Sequence, residues 1–462
     1  MRSTILALLL AAPASAEFSA ELVSRLKSSV VNIEVSVQHG LNAESTGKRG
    51  GTGFIVDAER GIIATNRHVV GTSPALIKIV FEDGSTAEAR IWYYDAWHDF
   101  AFIKLEPDPV RPALKAVALG DSFALKEQED VLLVGNNDAQ EYSVKFGKTA
   151  NLWLCRDRRH SATLQTTFDR AGGSSGSPVF NSSGQVVAIH FSGTDTTSFE
   201  MRVEYLKDVL AQLNRDGKAQ RGEIGVDLDT ILISDARKHF KLPEDLAKEL
   251  SALRADSKRV AVVEYVSPRS PAAGQLMAGD IVLKVEGRWV GDDVYLFDKL
   301  VDEKVGKKAA LSVLRNGRPL VVRLPVEDAE AWKVRQFVLF AGGVVHATTP
   351  EHRLALNIES DGVFLPQAEK GSSFSDLGRE GSPTKYLLLI ESVNGVPTPD
   401  LDRFVEVVRG LKDGDHIYVN VSDRWRTQSN TQSRTVRLDL KYFPLRVFDW
   451  SEKKLEWQPR GG

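Results

Sequence analysis

Cysteine is the scarcest feature of this sequence. Cys155 stands alone among 462 residues, which excludes an intramolecular disulfide, a zinc ribbon and CxxC redox chemistry. An excess of one charge sign is also missing: 59 Lys and Arg face 62 Asp and Glu, for a formal net charge of −3. No global field therefore draws the chain to nucleic acid or to an anionic membrane. Long apolar runs are lacking as well. The stretch Ile5 to Ala12 falls short of the about 20 residues that span a bilayer, and nothing later reaches that length, so no membrane span is expected.

What is present is ordinary core-forming material. Hydrophobic residues make up 42% and charged residues 26%, which excludes a disordered or collagenous chain. At about 150 residues per domain, the length predicts about three domains. The first sixteen residues read as a signal peptide, with Arg2 as the basic region, Ile5 to Ala12 as the apolar region and Ala14-Ser15-Ala16 as a cleavage site. That reading predicts export, to a periplasm or to the outside.

From residue 17 to 218 the pattern is that of an all-β unit. Short Val- and Ile-rich runs at Val30 to Val37, Gly53 to Val56, Ile62 to Thr65, Leu76 to Phe81, Phe100 to Leu105, Val131 to Val134 and Val186 to Phe191 alternate with Gly, Asp and Asn turns. Val203, Leu206, Leu210 and Leu213 then recur at helical spacing before a polar linker. The remainder reads as two copies of a small α+β module, at 219–328 and 329–447, with a tail at 448–462. Ile281 to Val290 and Leu387 to Thr398 share a strand, a Gly turn and a short strand, each followed by a helical stretch and a strand pair. The tail carries Trp450 and Trp457 among charges, the pattern of a docking segment or a frayed end.

Reactive residue types concentrate in the first unit. Gly172-Gly173-Ser174-Ser175-Gly176-Ser177-Pro178 allows successive N–H groups to converge on one point. A serine there needs a base, and His68 lies just beyond the strand Ile62 to Ala64. The base needs an acceptor to hold its tautomer, and Asp99 sits at the mouth of an alternating strand. Asp95 is the rival acceptor, but only Asp99 directly precedes the alternation. Singly, each of the three also fits a surface turn.

Together, Gly51-Thr52-Gly53-Phe54-Ile55, TNRHVV, DFAFIKL and GSSGSP resemble, in order and spacing, the signatures of HtrA/DegP-type serine proteases, with a spelling nearest the duplicated HtrA-like proteases of fungi. The resemblance implies a chymotrypsin-like double β-barrel followed by two PDZ-like domains. It implies Ser175 as nucleophile with Ser174 as fallback, His68 as general base, Asp99 as its orienting group, and the N–H groups of Gly173 and Ser175 as the oxyanion hole. Ile189, His190 and Phe191 would form the edge beside which the substrate backbone lies. Asp169, six residues before Ser175, stands where trypsin-like enzymes keep a carboxylate for Lys or Arg. The favoured reading pairs it with Arg170 or solvent and leaves a preference for small aliphatic residues. The altered Thr167 to Arg170 stretch also keeps open a catalytically silent peptide-binding chaperone or scaffold.

Val266 to Ala273 and Met277 to Gly287 resemble PDZ signatures, with Gly222, Glu223, Ile224 and Gly225 as the carboxylate-binding loop and an extra helix expected between Phe240 and Asp256. The second copy matches at Val393 to Thr398, whereas Phe340 to Val344 fits the loop loosely. The combined expectation is an ATP-independent serine endopeptidase, built as a homotrimer, that cleaves unfolded or damaged polypeptides and binds C-terminal peptides. No metal, cofactor or nucleic acid enters it. Cys155 reads as a packed residue, and His160 carries no assigned role.

Overall fold

The computed structural model describes residues 18–42, 44–107, 112–137, 140–156, 160–169, 173–254, 257–356, 358, 360–377, 387–423 and 430–461. The segment read as a signal peptide lies outside them. The helix α1 (Ala20–Lys27) opens the described chain, with the Leu22 N–H donating to the Ser19 hydroxyl that caps it (3.2 Å).

The first barrel is built from β1 (Val30–Val37), β2 (Gly47–Asp57), β3 (Ile62–Thr65), β4 (Ala75–Val80), β5 (Thr86–Tyr94) and β6 (Ala101–Leu105), closed in the order β1-β2-β3-β6-β5-β4. A one-turn helix, α2 (Arg67–Val70), follows β3. The second barrel uses β7 (Asp130–Asn137), β8 (Gln140–Arg156), β9 (Ser161–Thr166), β10 (Pro178–Phe180), β11 (Val186–Gly193) and β12 (Ser198–Arg202), closed in the order β10-β11-β12-β9-β8-β7. Closure removes sheet edges, and the period of two along each strand supplies the filling. Ile33, Val35, Ile63, Ile79 and Ile103 fill the first barrel; Val131, Leu133, Leu164, Val179 and Val187 fill the second. Phe54, Phe100, Phe102, Leu132, Val134, Phe180 and Ile189 take the opposite faces and pack in the seam between the barrels. This is the double barrel expected from the resemblance.

The helix α3 (Val203–Asp216) buries Val203, Leu206, Val209 and Leu213 and stops at Gly217, whose φ of +69° makes a left-handed cap. The first small module follows as β13 (Gly222–Glu223), β14 (Val226–Leu232), α4 (Ile233–Phe240), α5 (Glu244–Leu253), β15 (Arg259–Val266), β16 (Ile281–Val285), β17 (Arg288–Trp289), α6 (Val294–Asp302), β18 (Lys308–Arg315), β19 (Arg318–Pro325) and β20 (Glu327–Asp328). Its main sheet runs β14-β15-β16-β18-β19, so β14 is an edge strand. The expected extra helix is α5. It packs through Ala247 and Leu250 on Leu283 and Leu314 of β16 and β18.

The second module contains β21 (Gln336–Phe340), β22 (Gly343–Ala347), α7 (Pro350–Leu356), β23 (Val363–Ala368), β24 (Leu388–Val393), β25 (Val396–Pro397), α8 (Leu401–Arg409), β26 (His416–Asp423), β27 (Asn430–Arg437), β28 (Arg446–Ser451) and β29 (Glu456–Pro459). The same tight turn recurs in both modules. Glu286-Gly287 has φ of 51° and 78°, and Asn394-Gly395 has 50° and 75°, the paired positive values of a type I′ hairpin.

One expectation is corrected here. The 448–462 segment is not a separate tail: β28 pairs with β21 and β29 pairs with β28, extending the module's sheet. The cause is aromatic. Phe448 stacks on Phe337 with centroids 4.8 Å apart, and Trp450 meets Trp457 edge-on at 5.6 Å. The loosely matching Phe340 to Val344 region is a hairpin between β21 and β22, turning at Ala341 and Gly342 with φ of 51° and 80°.

Candidate active site

The end of β3 delivers the histidine. Thr65 Oγ donates to the Thr52 carbonyl (2.7 Å), Asn66 Nδ2 donates to the Asp99 carbonyl (2.9 Å), and α2 then presents His68. Asp99 grips it twice: the His68 N–H donates to Oδ1 (2.8 Å), and Nδ1 lies 2.5 Å from Oδ2. With Nδ1 held, Nε2 is the nitrogen left for a substrate-side proton. Burial alone would lower the His68 pKa, yet the charge and hydrogen bond of Asp99 raise it above the ordinary 6.5.

Asp95 has a different task. It is wholly buried, accepts from the N–H groups of Trp97 (2.9 Å) and His98 (2.6 Å), and pairs with Arg221. Burial would raise its pKa, but Arg221 and His98 hold it far below the usual carboxylate range. It shapes the turn that leads into Asp99.

The serine loop is tied to β2 and β11. The Thr52 N–H donates to the Ser175 carbonyl (2.8 Å), the Gly176 N–H to the His190 carbonyl (2.9 Å), and the His190 N–H to the Ser177 carbonyl (2.9 Å). Gly176 has φ of +86°, and a Cβ there would lie 2.0 Å from the Thr52 oxygen, so only glycine fits. Gly173 also has φ of +86°, and its Cβ would lie 2.6 Å from the Asn136 oxygen. Gly172 and Arg170 lie outside the described residues. Thr52 and Asn136, neither of them a candidate site residue in the sequence, brace the loop: Thr52 Oγ donates to the Gly173 carbonyl (3.0 Å) and accepts from the Asn136 N–H (2.9 Å). The GTGFI motif was the available signal for Thr52; Asn136 had none.

The expected specificity residues divide. Asp169 does not sit at the base of a pocket. Its side chain is 71% exposed and pairs with Lys145 (2.8 Å), and Phe168 beside it fills the barrel interior. Ile189 is buried in the seam and paired on both sides, with Pro178 and Met201. His190 is buried too, its Nδ1 near Glu200 (3.0 Å) and Ser198 (2.8 Å). The open edge therefore begins at Phe191. From there to Gly193, β11 has no strand on its β10 side among the described residues. Nor do those residues contain a His, Cys, Asp or Glu cluster arranged to hold a metal ion.

In the first module's loop, Gly225 has φ of +83°, and its N–H donates to Glu223 Oε1. Gly222 N–H donates to Asp302 on α6 (2.6 Å). Burial pushes the Glu223 carboxyl up to about 7 despite that backbone hydrogen bond.

Comparison with known proteins agrees with this geometry. Residues 51–189 match the trypsin-like peptidase domain, 240–326 the PDZ domain and 333–414 the PDZ-like domain. The pro-apoptotic serine protease NMA111 of Meyerozyma guilliermondii is 29% identical over 425 residues, covering 90% of this chain and 42% of that protein. Its counterpart in Saccharomyces cerevisiae strain S288c is 28% identical over 408 residues, covering 86% and 40%. The chain thus spans about two fifths of the length of these curated relatives. An alanine variant of the HtrA-type protease AlgW, solved with a tripeptide, shares the fold at a TM-score of 0.50 and 23% identity, covering 67% of this chain and 96% of that one.

Two barrels with a histidine held by an aspartate at their seam define a trypsin-like serine peptidase domain. The chain joins that domain to PDZ domains and is a homologue of the fungal NMA111 HtrA-type proteases. Those relatives overturn the expected export. They are fungal pro-apoptotic proteases that act inside the cell, not periplasmic or secreted enzymes. Among the described residues, no helix is long and apolar enough to cross a membrane.

Proposed function

We propose that this chain is an ATP-independent serine endopeptidase that cleaves unfolded or damaged polypeptides. Ser175 attacks the scissile carbonyl, His68 Nε2 takes its proton and returns it to the leaving amine, and Asp99 fixes the tautomer and stabilises the imidazolium. The N–H groups of Gly173 and Ser175 receive the oxyanion. The observation that carries this reading is the two-point grip of Asp99 on His68, at 2.8 and 2.5 Å. The open edge from Phe191 to Gly193 supports an extended substrate, because strand addition needs a backbone that folded proteins hide.

The proposed units are a protease domain at 17–218, a PDZ domain at 219–328 that binds peptide segments, and a PDZ-like domain from 329 that takes in the final hairpin. The assembly we propose is a homotrimer formed through the protease domains. The test is digestion of a reduced, unfolded model protein by the chain and by its Ser175→Ala variant, with fluorophosphonate labelling of both. Cleavage and labelling by the parent, with a loss of about 10⁶-fold in the variant, are expected. Equal labelling of both proteins, or of neither, overturns the assignment of Ser175.

A further inference from the structure

In the first PDZ domain, a side chain of the peptidase domain stands between β14 and α6. His160, at the start of β9, brings Nε2 to 2.9 Å from Asp298 Oδ1 on α6. Its Nδ1 stands 3.3 Å from Asp227 Oδ1 and 3.3 Å from the amide nitrogen of Leu228, both on β14. Cys155, on β8, donates Sγ–H to the Leu228 carbonyl (3.2 Å). The edge strand that would hydrogen-bond an incoming peptide therefore has the Leu228 carbonyl engaged, and its amide covered, by the chain itself. Rings close the site: Trp97 lies 5.4 Å and Phe297 5.7 Å from the His160 centroid. Tyr205 Oη donates to Asp298 Oδ2 (2.8 Å), so that carboxylate is held in place. At the loop, where a terminal carboxylate would dock, the Gly225 N–H is given to the side chain of Glu223.

From this geometry we infer that the β14–α6 groove takes an imidazole or ammonium side chain on an internal extended segment rather than a free C-terminus, and that Cys155 and His160 are its resident ligand. The inference rests on the reading of this module as a peptide binder and specifies what it binds. Two carboxylates, one on each wall, suit a cation between them. The loop amide that would select a terminus faces a carboxylate of its own. A second carboxylate arriving there would meet Glu223 at close range in a buried site, which is unfavourable.

The test uses the full chain with Ser175→Ala, so that peptides survive. Three acetylated, amidated and fluorescently tagged peptides differ only in a central His, Lys or Glu, and a fourth ends in a free aliphatic C-terminus. Fluorescence anisotropy is measured for the chain, for its His160→Gln variant and for His160→Gln with Asp298→Asn. Loosening the resident contact raises the competent fraction, so His160→Gln should bind the His and Lys peptides about 10-fold tighter than the parent. Asp298→Asn should abolish that gain, and the Glu peptide should stay weak. Cys155→Ala, which loosens the same contact without touching the carboxylates, supplies the comparison should His160→Gln not fold by circular dichroism. Binding of the free C-terminus alone, or equal binding of His and Glu peptides, overturns the inference but keeps the domain a peptide binder. Failure of all four peptides with every folded variant overturns both.

Discussion

Asp99 commits one carboxylate oxygen to the backbone and the other to the ring of His68. The orientation and the raised pKa of the base thus come from one side chain. Because His68 must be neutral to accept a proton, a raised pKa places the loss of activity above pH 6.5 as the solution is acidified. In Asp99→Asn the charge is gone, so the acid limb of kcat/KM should move to lower pH while the rate falls about 10⁴-fold; a pH–rate profile of both enzymes checks both shifts. His68 and Asp99, which the structure brings together, stand out in the sequence because each sits in a local motif. Thr52 and Asn136 do not, since they reach the serine loop across the fold. Asp169 is exposed, as its favoured reading had it, but its partner Lys145 comes from a distant strand that spacing along the chain does not reveal.

Element by element, strands whose inner faces alternate can be read from the period of two, and so can the α3 helix. Pairing between distant segments cannot. Strand β22 shows the difference. It pairs with β23 on one edge and with β21 on the other, so no edge remains for an added peptide strand. The second module braces the peptidase instead. Leu41, in the β1–β2 connection, is fully buried among Phe337, Leu339 and Val344, and Gly40 and Asn42 donate N–H bonds to Gln367 (2.6 Å) and His346 (3.2 Å). Arg67, the neighbour of His68, reaches Glu351 on α7 (3.4 Å). Leu41→Ala should destabilise the chain by about 2–5 kcal/mol through the lost burial and the cavity left behind, measured by urea denaturation.

For the whole molecule, the join between the peptidase and first PDZ domains is ionic at its centre and apolar around it. Arg221 donates to His98 Nδ1 (2.8 Å) and pairs with Asp302 (3.1 Å), while His98 Nε2 faces Asp298 (3.3 Å). Burial opposes a charged His160, yet Asp298 and Asp227 raise its pKa from 6.5 to about 10. A group with a raised folded pKa contributes stability that is complete below its unfolded value and is lost as pH climbs through the folded one. Glu223 and Asp302, both pushed by burial to about 7, act with the same sign at lower pH. The melting temperature should therefore fall between pH 6.5 and pH 10, and His160→Gln should flatten that upper part of the curve; an unchanged slope would remove His160 as the cause. The apolar surround runs unbroken from Phe54 and Phe180 in the barrel seam through Tyr205 and Ile224 to Phe297 and Leu324. A core shared in this way melts as one body, so calorimetry should show the peptidase and first PDZ domains unfolding in a single transition. For anyone dissecting the chain, a cut at residue 218 would expose the inner half of a hydrophobic core, and the fragment's behaviour would report its tendency to aggregate before it reported anything about catalysis.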